Sequence, residues 1–310
     1  MSDALYWEQL PPMFQRSVVK YLGLIDRSSL RKTSKSDKDL VDSVPIHLAE
    51  LGFVDSGPQI RLFVQEHPKI IDGIVHFSKF HISGEEIIDE FLKLFENPRS
   101  FVDFLYFDFE KVTSHQFLTE FYEKLMNQPE KYKLRTKKLY WTNRKPNEYL
   151  LDVLGRVDSK ILKGVELNCQ LMPEYLQKVL ETEQCKNARS FSLGSFCVCT
   201  LPVTSLMNWD YLDIYVHRFT EEEIWEMIKN FRSTNRPVGA RFHFYNFLPV
   251  NRIIEIPVLL NLFDVPPVNV YEYDDRDKFH TQLFKLENRN EVLRVEITAQ
   301  SVIGTILANN

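Results

Sequence analysis

Eight short segments of this chain alternate apolar and polar side chains, and that period of two marks an extended strand. They are FLYFDF at 104–109, KLYWTN at 138–143, GVELN at 164–168, RSFSLG at 189–194, YLDIYV at 211–216, ARFHFY at 240–245, VNVYEY at 268–273 and VLRVEI at 292–297. Leu105/Phe107, Leu139/Trp141, Leu212/Ile214/Val216 and Leu293/Val295/Ile297 each fall two residues apart, which puts each set on one strand face. Counted from Leu105, Leu139, Val165, Phe191, Leu212, Phe242, Val270 and Leu293, the strand starts lie 34, 26, 26, 21, 30, 28 and 23 residues apart. A parallel neighbour needs a crossover of about a dozen residues or more, and these gaps supply it.

Several gaps carry helix signals. Thr220 with Glu223 forms a capping box, Ile224, Ile228 and Phe231 then share a face, and Lys229 and Arg232 sit near the end. Ser83 with Glu86 opens a helix carrying Ile87, Ile88, Phe91, Leu92 and Phe95. Thr113 with Gln116 opens another, with Phe117, Phe121 and Leu125, and Pro173 starts a third at a first-turn position. The expected class is α/β: an irregular leucine-rich-repeat-like solenoid of strand and helix, without the Asn/Cys ladder of regular repeats. An ordinary α/β fold with a ligand crevice is the alternative.

The first fifty residues follow a different rule. In WEQLPPMFQRSVVKYL, Pro11 and Pro12 suit a helix start, and Met13, Phe14, Val18, Tyr21, Leu22 and Ile25 recur near a period of 3.6. Gly23 ends that helix. Asp26 is a candidate cap for a second helix through Leu30, and Ser36 with Asp39 for a third that carries Leu40, Val41 and Val44. Three helices in about forty residues bury too little surface to stand alone, so the module needs the rest of the chain or a partner.

Leu10-Pro11, Val18-Val19-x-Tyr21-Leu22, Asp26-Arg27, Leu30-Arg31 and Ser34-Lys35 together resemble an F-box in order and spacing. Asp37 stands where many F-boxes carry Trp, a departure that points to weaker docking. A second resemblance covers LETEQCKNARSFSLG, NWDYLDIYVHRFTEEEIWEMIK and GARFHFYN. These segments are similar to the FTH domain that follows the F-box in a large nematode family of F-box proteins. Phe219-Thr220-Glu221-Glu222-Glu223-Ile224 fits its pattern, while Cys185 replaces a frequent Trp. The resemblances cover residues 5–50 and roughly 100–250.

They imply a non-catalytic substrate-recognition subunit of a Skp1–cullin–F-box ubiquitin ligase. Its partners would be a Skp1-like adaptor, through it a cullin, and an unidentified substrate protein. The expected division is an F-box at 1–50, a connecting segment at 51–100 and an FTH-like recognition domain at 101–310. Leu10, Pro11, Val18, Leu22 and Leu30 are the expected adaptor-binding residues, with Val18 and Leu22 also eligible for the module's own core. A repeat-type interaction scaffold without a ligase role is the alternative.

Other chemistries find little support. The formal charge is −5, with 38 Lys plus Arg against 43 Asp plus Glu, which argues against general attraction to nucleic acid. The longest apolar run, Ile253–Phe263, is interrupted by Glu255, Pro257 and Asn261, too short and too polar for a membrane span. Asp3 and Glu8 with no apolar stretch do not read as a secretory signal, and the 4 Cys suit a reducing cytoplasmic or nuclear setting.

Cys197-x-Cys199 could supply half a zinc site, but further ligands are missing at a usual spacing, so Cys169, Cys185, Cys197 and Cys199 are expected as buried apolar residues. His76 and His81 are wrongly spaced for a metal pair. Glu221-Glu222-Glu223 is a helix first turn before it is a metal cluster. No phosphate-cradling glycine loop, nucleophile elbow or His-Glu-x-x-His occurs, so no cofactor or metal is expected. Lys131 to Lys138, five cations around Tyr132 and Leu134, is the most nucleic-acid-like stretch and reads first as a solvated lead into a strand.

Overall fold

The computed structural model describes residues 6–55, 59–71, 74–76, 78–82, 84, 86–109, 115–143, 149–195, 197–217, 219–246, 254–266, 270–273, 277–287 and 289–309. They divide into two compact units, residues 1–139 with 152–161, and residues 140–151 with 162–310.

The first unit begins with a 3-10 turn at Trp7–Gln9 and three short helices, α1 (Pro12–Tyr21), α2 (Leu24–Arg31) and α3 (Lys35–Ser43). Pro12 occupies the first turn of α1, where its missing N–H leaves no hydrogen bond unmade. Two caps differ from the sequence expectation. Gly23, rather than Asp26, precedes the first residue of α2, and Ser34, rather than Ser36, caps α3 by accepting from the Asp37 N–H. Asp26 instead sits in the first turn of α2, where its charge complements the helix dipole.

The chain then enters β1 (His47–Asp55), β2 (Ile60–Glu66), the small pair β3 (Lys69–Ile71) and β4 (Ile74–His76), and β5 (Lys79–Ile82). Helix α4 (Ile87–Lys93), β6 (Phe101–Phe109) and α5 (His115–Met126) follow. β1 pairs antiparallel with β2 and parallel with β6, and β2 pairs antiparallel with β5. Phe53 of β1, Phe107 of β6, Phe91 of α4 and Phe121 of α5 form one aromatic core, with ring centroids 4.8 to 6.1 Å apart. Gly52 faces Tyr106 across the parallel pair, and a methyl group there would lie 2.0 Å from the Tyr106 carbonyl oxygen. Ser83 and Thr113, the expected caps of α4 and α5, lie outside the described residues.

β7 (Thr136–Asn143) and α6 (Leu150–Arg156) each have residues in both units, and the second continues with β8 (Gly164–Cys169), α7 (Pro173–Leu180), α8 (Glu183–Asn187) and β9 (Ser190–Leu193). Then come β10 (Tyr211–Val216), α9 (Glu221–Ser233), β11 (Arg241–Asn246), α10 (Ile256–Leu262) and four strands, β12 (Val270–Tyr273), β13 (Asp277–Lys285), β14 (Glu291–Thr298) and β15 (Ser301–Ala308).

β8, β9, β10 and β11 are parallel neighbours, for which the spacing of their starts leaves room. The repeat then stops. β15 pairs antiparallel with β11, and β14, β13 and β12 add on antiparallel in turn. The leucine-rich-like solenoid expected over this region is therefore incorrect: the unit is a mixed sheet in which a parallel run meets an antiparallel meander. An apolar period of two fixes extension but not direction, so 268–273 and 292–297 were indistinguishable from further parallel units. β13 and β15 fill gaps that a solenoid would give to helices.

Helices cover one face of this sheet. Phe231 of α9 packs edge-on against Phe242 at 4.8 Å, and Phe263 and Trp225 meet Phe284 of β13 at 5.1 and 5.9 Å. The expected capping box is present: Thr220 Oγ1 accepts from the Glu223 N–H, and Glu223 accepts from the Thr220 N–H at 2.9 Å.

Candidate functional site

The first helix carries its apolar side chains on two sides. Val19 is fully buried and packs with Val41 and Val44 of the α3 region, ringed by Trp7, Leu22, Leu30 and Leu40. Phe14, Val18 and Tyr21, spaced i, i+4, i+7, stand in solvent at 59%, 41% and 83% exposure. Met13 beside them and Ile25 at the start of α2 are exposed as well. A helix in a soluble domain ordinarily turns such a row inward, so an outward row marks a surface that another molecule covers.

The five residues expected at the adaptor interface thus divide. Pro11 and Val18 are exposed and Leu10 is partly exposed, while Leu22 and Leu30 are half-buried against the helical core. Met13, Phe14, Tyr21 and Ile25 complete the outward face, and the 3.6 periodicity had already grouped them with Val18.

Polar contacts fix the shape of this surface. Arg27 is buried, and its guanidinium donates to the carbonyls of Leu22, Val44 and Pro45 at 3.2 Å each, clamping the ends of α1 and α3. Burial lowers its pKa, an effect that nearby Glu66 partly offsets. Glu66 of β2 in turn accepts from the Leu24 N–H, so a sheet carboxylate caps α2. The approach is close: a methyl group on Gly23 would lie 2.9 Å from Glu66 Oε1.

Asp37 has a role of its own. It accepts from the Trp7 indole N–H at 2.7 Å, from Thr33 at 2.6 Å and from Ser34 at 2.7 Å, tying the N-terminal turn to α3. These donors, Thr33 foremost, hold its carboxyl below the usual range. Further ties reach the sheet layer, where Ser100 accepts from the Ile46 N–H and Asn97 donates to the Asp42 carbonyl. An open cleft of about 610 Å³, lined by residues including Val41, Val44, Leu62, Ile82 and Leu94, adjoins α2 and α3.

The other sequence candidates are structural. Tyr132 is buried and donates to the Leu92 carbonyl at 2.7 Å, Arg135 is buried on the carbonyls of Phe95 and Asn97, and Lys137 pairs with Asp103. Of the five cations in this stretch Arg135 alone is buried, while Lys131, Lys137 and Lys138 stay exposed. Four buried cysteines have thiols pushed up by burial, Cys197 to about 12 and Cys185 and Cys199 to about 11, which disfavours the metal-binding thiolate. Glu221 is buried and accepts from the Glu255 N–H at the start of α10. His81 is exposed with its ring 5.3 Å from that of Phe63, and the side chain of His76 is outside what is described. Among the described residues no group of three His, Cys, Asp or Glu could hold a metal ion, and no helix is long and apolar enough to cross a membrane.

Residues 7–48 match the F-box domain model, and residues 115–264 match the FTH domain model. The chain carries an F-box and an FTH domain. No curated protein and no solved structure matches it. The F-box match spans α1, α2, α3 and the first residues of β1, so the outward row of α1 belongs to the F-box. The FTH match runs from α5 to just past α10, and β12 to β15 lie beyond it.

Sequence reasoning missed the buried ionic groups. Arg236 is buried, its guanidinium 4.1 Å above the Phe231 ring, donating to the Trp209 and Met207 carbonyls and to Asn230. His243 is likewise buried. In sequence both look like ordinary surface residues, because burial of a charge is a property of the assembled sheet.

Proposed function

We propose that this chain is the substrate-recognition subunit of a Skp1–cullin–F-box ubiquitin ligase. A Skp1-like adaptor docks on the outward face of α1, with Pro11, Phe14, Val18 and Tyr21 as contacts and Leu10 at its edge. Leu22 and Leu30 act from inside, holding the helices that present that face. The FTH domain, with the strands that follow it to residue 310, takes the substrate. No catalytic group is required of such a subunit: tethering raises the local concentration of substrate lysines near the charged ubiquitin-conjugating enzyme. The reading places the protein in the cytoplasm or nucleus.

The observation that carries it is the apolar row Phe14, Val18, Tyr21, left in solvent within a matched F-box. A pull-down of the full chain by a purified Skp1-type adaptor tests it. Wild type is retained, and a Phe14→Asp/Val18→Asp variant is lost with an unchanged circular dichroism spectrum. Failure of wild type to bind, or equal retention of the variant, overturns the proposal.

A further inference from the structure

The sheet of the second unit has a second face. On β10 and β11 the residues Leu212, Ile214, Val216, Phe242 and Phe244 turn toward the helices and are buried. The alternate residues turn the other way, and the register sets them side by side: Tyr211 against Arg241, Asp213 against His243, Tyr215 against Tyr245. The Tyr215 and Tyr245 rings stack at 4.7 Å with an interplanar angle of 13°, and the His243 ring lies 3.6 Å from that of Tyr245.

One group in this cluster lacks what its chemistry calls for. Arg241 Nη2 lies 3.3 Å from His243 Nδ1, and since a guanidinium only donates, Nδ1 is the acceptor and Nε2 carries the proton. His243 is 4% exposed, and its Nε2 has no hydrogen-bond partner. A buried N–H without an acceptor is a standing cost that an incoming acceptor removes. Asp213 is half-exposed, and its carboxylate lies 3.9 Å from the His243 imidazole. Burial with Arg241 nearby lowers the His243 pKa to about 4, so this neighbour is uncharged at neutral pH, and burial of Asp213 raises its own pKa despite Arg241.

We propose, resting on the adaptor reading above, that this cluster is where the chain takes its substrate: an extended peptide segment with a lysine or arginine. The basic side chain pairs with Asp213 and lies over the Tyr215–Tyr245 stack. A peptide carbonyl accepts from His243 Nε2, and Tyr211, at 44% exposure, adds contact area. Tyrosine and arginine are the residue types that anchor protein interfaces. Nucleic acid fits less well than a basic peptide, because Glu166, Asp213 and Glu296 share one register row of this face, while its cations Arg241 and Arg294 lie in the next row, Arg294 paired with Glu296.

The full-length chain, titrated with fluorescent ten-residue peptides of random flanks and a fixed central Arg, Glu, phosphoserine or Leu, decides the matter by anisotropy. The Arg set binds most tightly. Asp213→Asn and Tyr211→Ala each weaken it about ten-fold, the scale of one exposed charge pair or aromatic anchor, with melting temperature and adaptor retention unchanged. Preference for Glu or phosphoserine peptides, no preference, or an unaltered Asp213→Asn overturns the proposal. Retention of the adaptor without peptide selectivity defeats this inference alone. Selective peptide binding without adaptor retention defeats the ligase reading and leaves the site standing.

Discussion

Phe14 and Val19 lie five positions apart on one helix, and the structure assigns them opposite consequences. Phe14 is 59% exposed and Val19 is 0% exposed. A phenylalanine presents roughly 200 Å², so about 120 Å² of Phe14 is open to a partner. At about 25 cal/mol per Å² its full burial contributes about 3 kcal/mol to docking. Imperfect burial leaves about 2 kcal/mol, or roughly thirty-fold in affinity, for Phe14→Ala. The same change removes no core contact, so stability stays within about 0.5 kcal/mol. Val19→Ala deletes two methyl groups from a closed cluster, which costs about 2 kcal/mol in transfer and cavity free energy. That lowers the melting temperature by about 4 to 8 °C for a unit of this size, with adaptor affinity per folded molecule little changed. Titration calorimetry against a purified adaptor and scanning calorimetry of the free chain separate the two. The reasoning fails if Phe14→Ala melts early with normal affinity, or if Val19→Ala loses affinity while its melting temperature holds.

Three further outcomes follow. Arg27→Met leaves the carbonyls of Leu22, Val44 and Pro45 without their donor and destabilises the F-box by about 3 kcal/mol, seen as rapid proteolysis before residue 46 while 162–310 stays intact. The Asp37 carboxyl has a lowered folded-state pKa, so its contribution is present above the unfolded-state value of 3.8 and is lost as pH falls through the folded value. Below about pH 4 wild type loses its margin over Asp37→Asn, read as converging melting temperatures. Gly52→Ala drives a methyl group into the Tyr106 carbonyl and destabilises the first unit by about 2 kcal/mol or more, read as a drop in denaturant midpoint.

Much of the F-box is written locally. The Pro start of α1, its 3.6 period and the cap of α3 within two residues of Ser36 are consequences of short-range sterics and hydrogen bonding. Which side of α1 faces water is not local: Val18 and Val19 are the same residue type, and their fates depend on Val41 and Val44, more than twenty positions away. In the second unit the parallel run β8 to β11 was legible because its crossovers leave long gaps between strands. The meander was not. β14 and β15 are joined by Ala299 and Gln300 alone, a pair without the Gly, Asn, Asp or Pro that marks a hairpin in sequence. The Asp213–His243 cluster was invisible for a related reason, since register brings together residues thirty positions apart.

Hydrogen–deuterium exchange of the full chain, with and without a saturating Skp1-type adaptor, tests the central claim most directly. The amides of α1 and the first turn of α2, residues 12–27, should slow, while those of β8 to β11 exchange as before. Unchanged exchange at 12–27, or protection confined to β8 to β11, would contradict it.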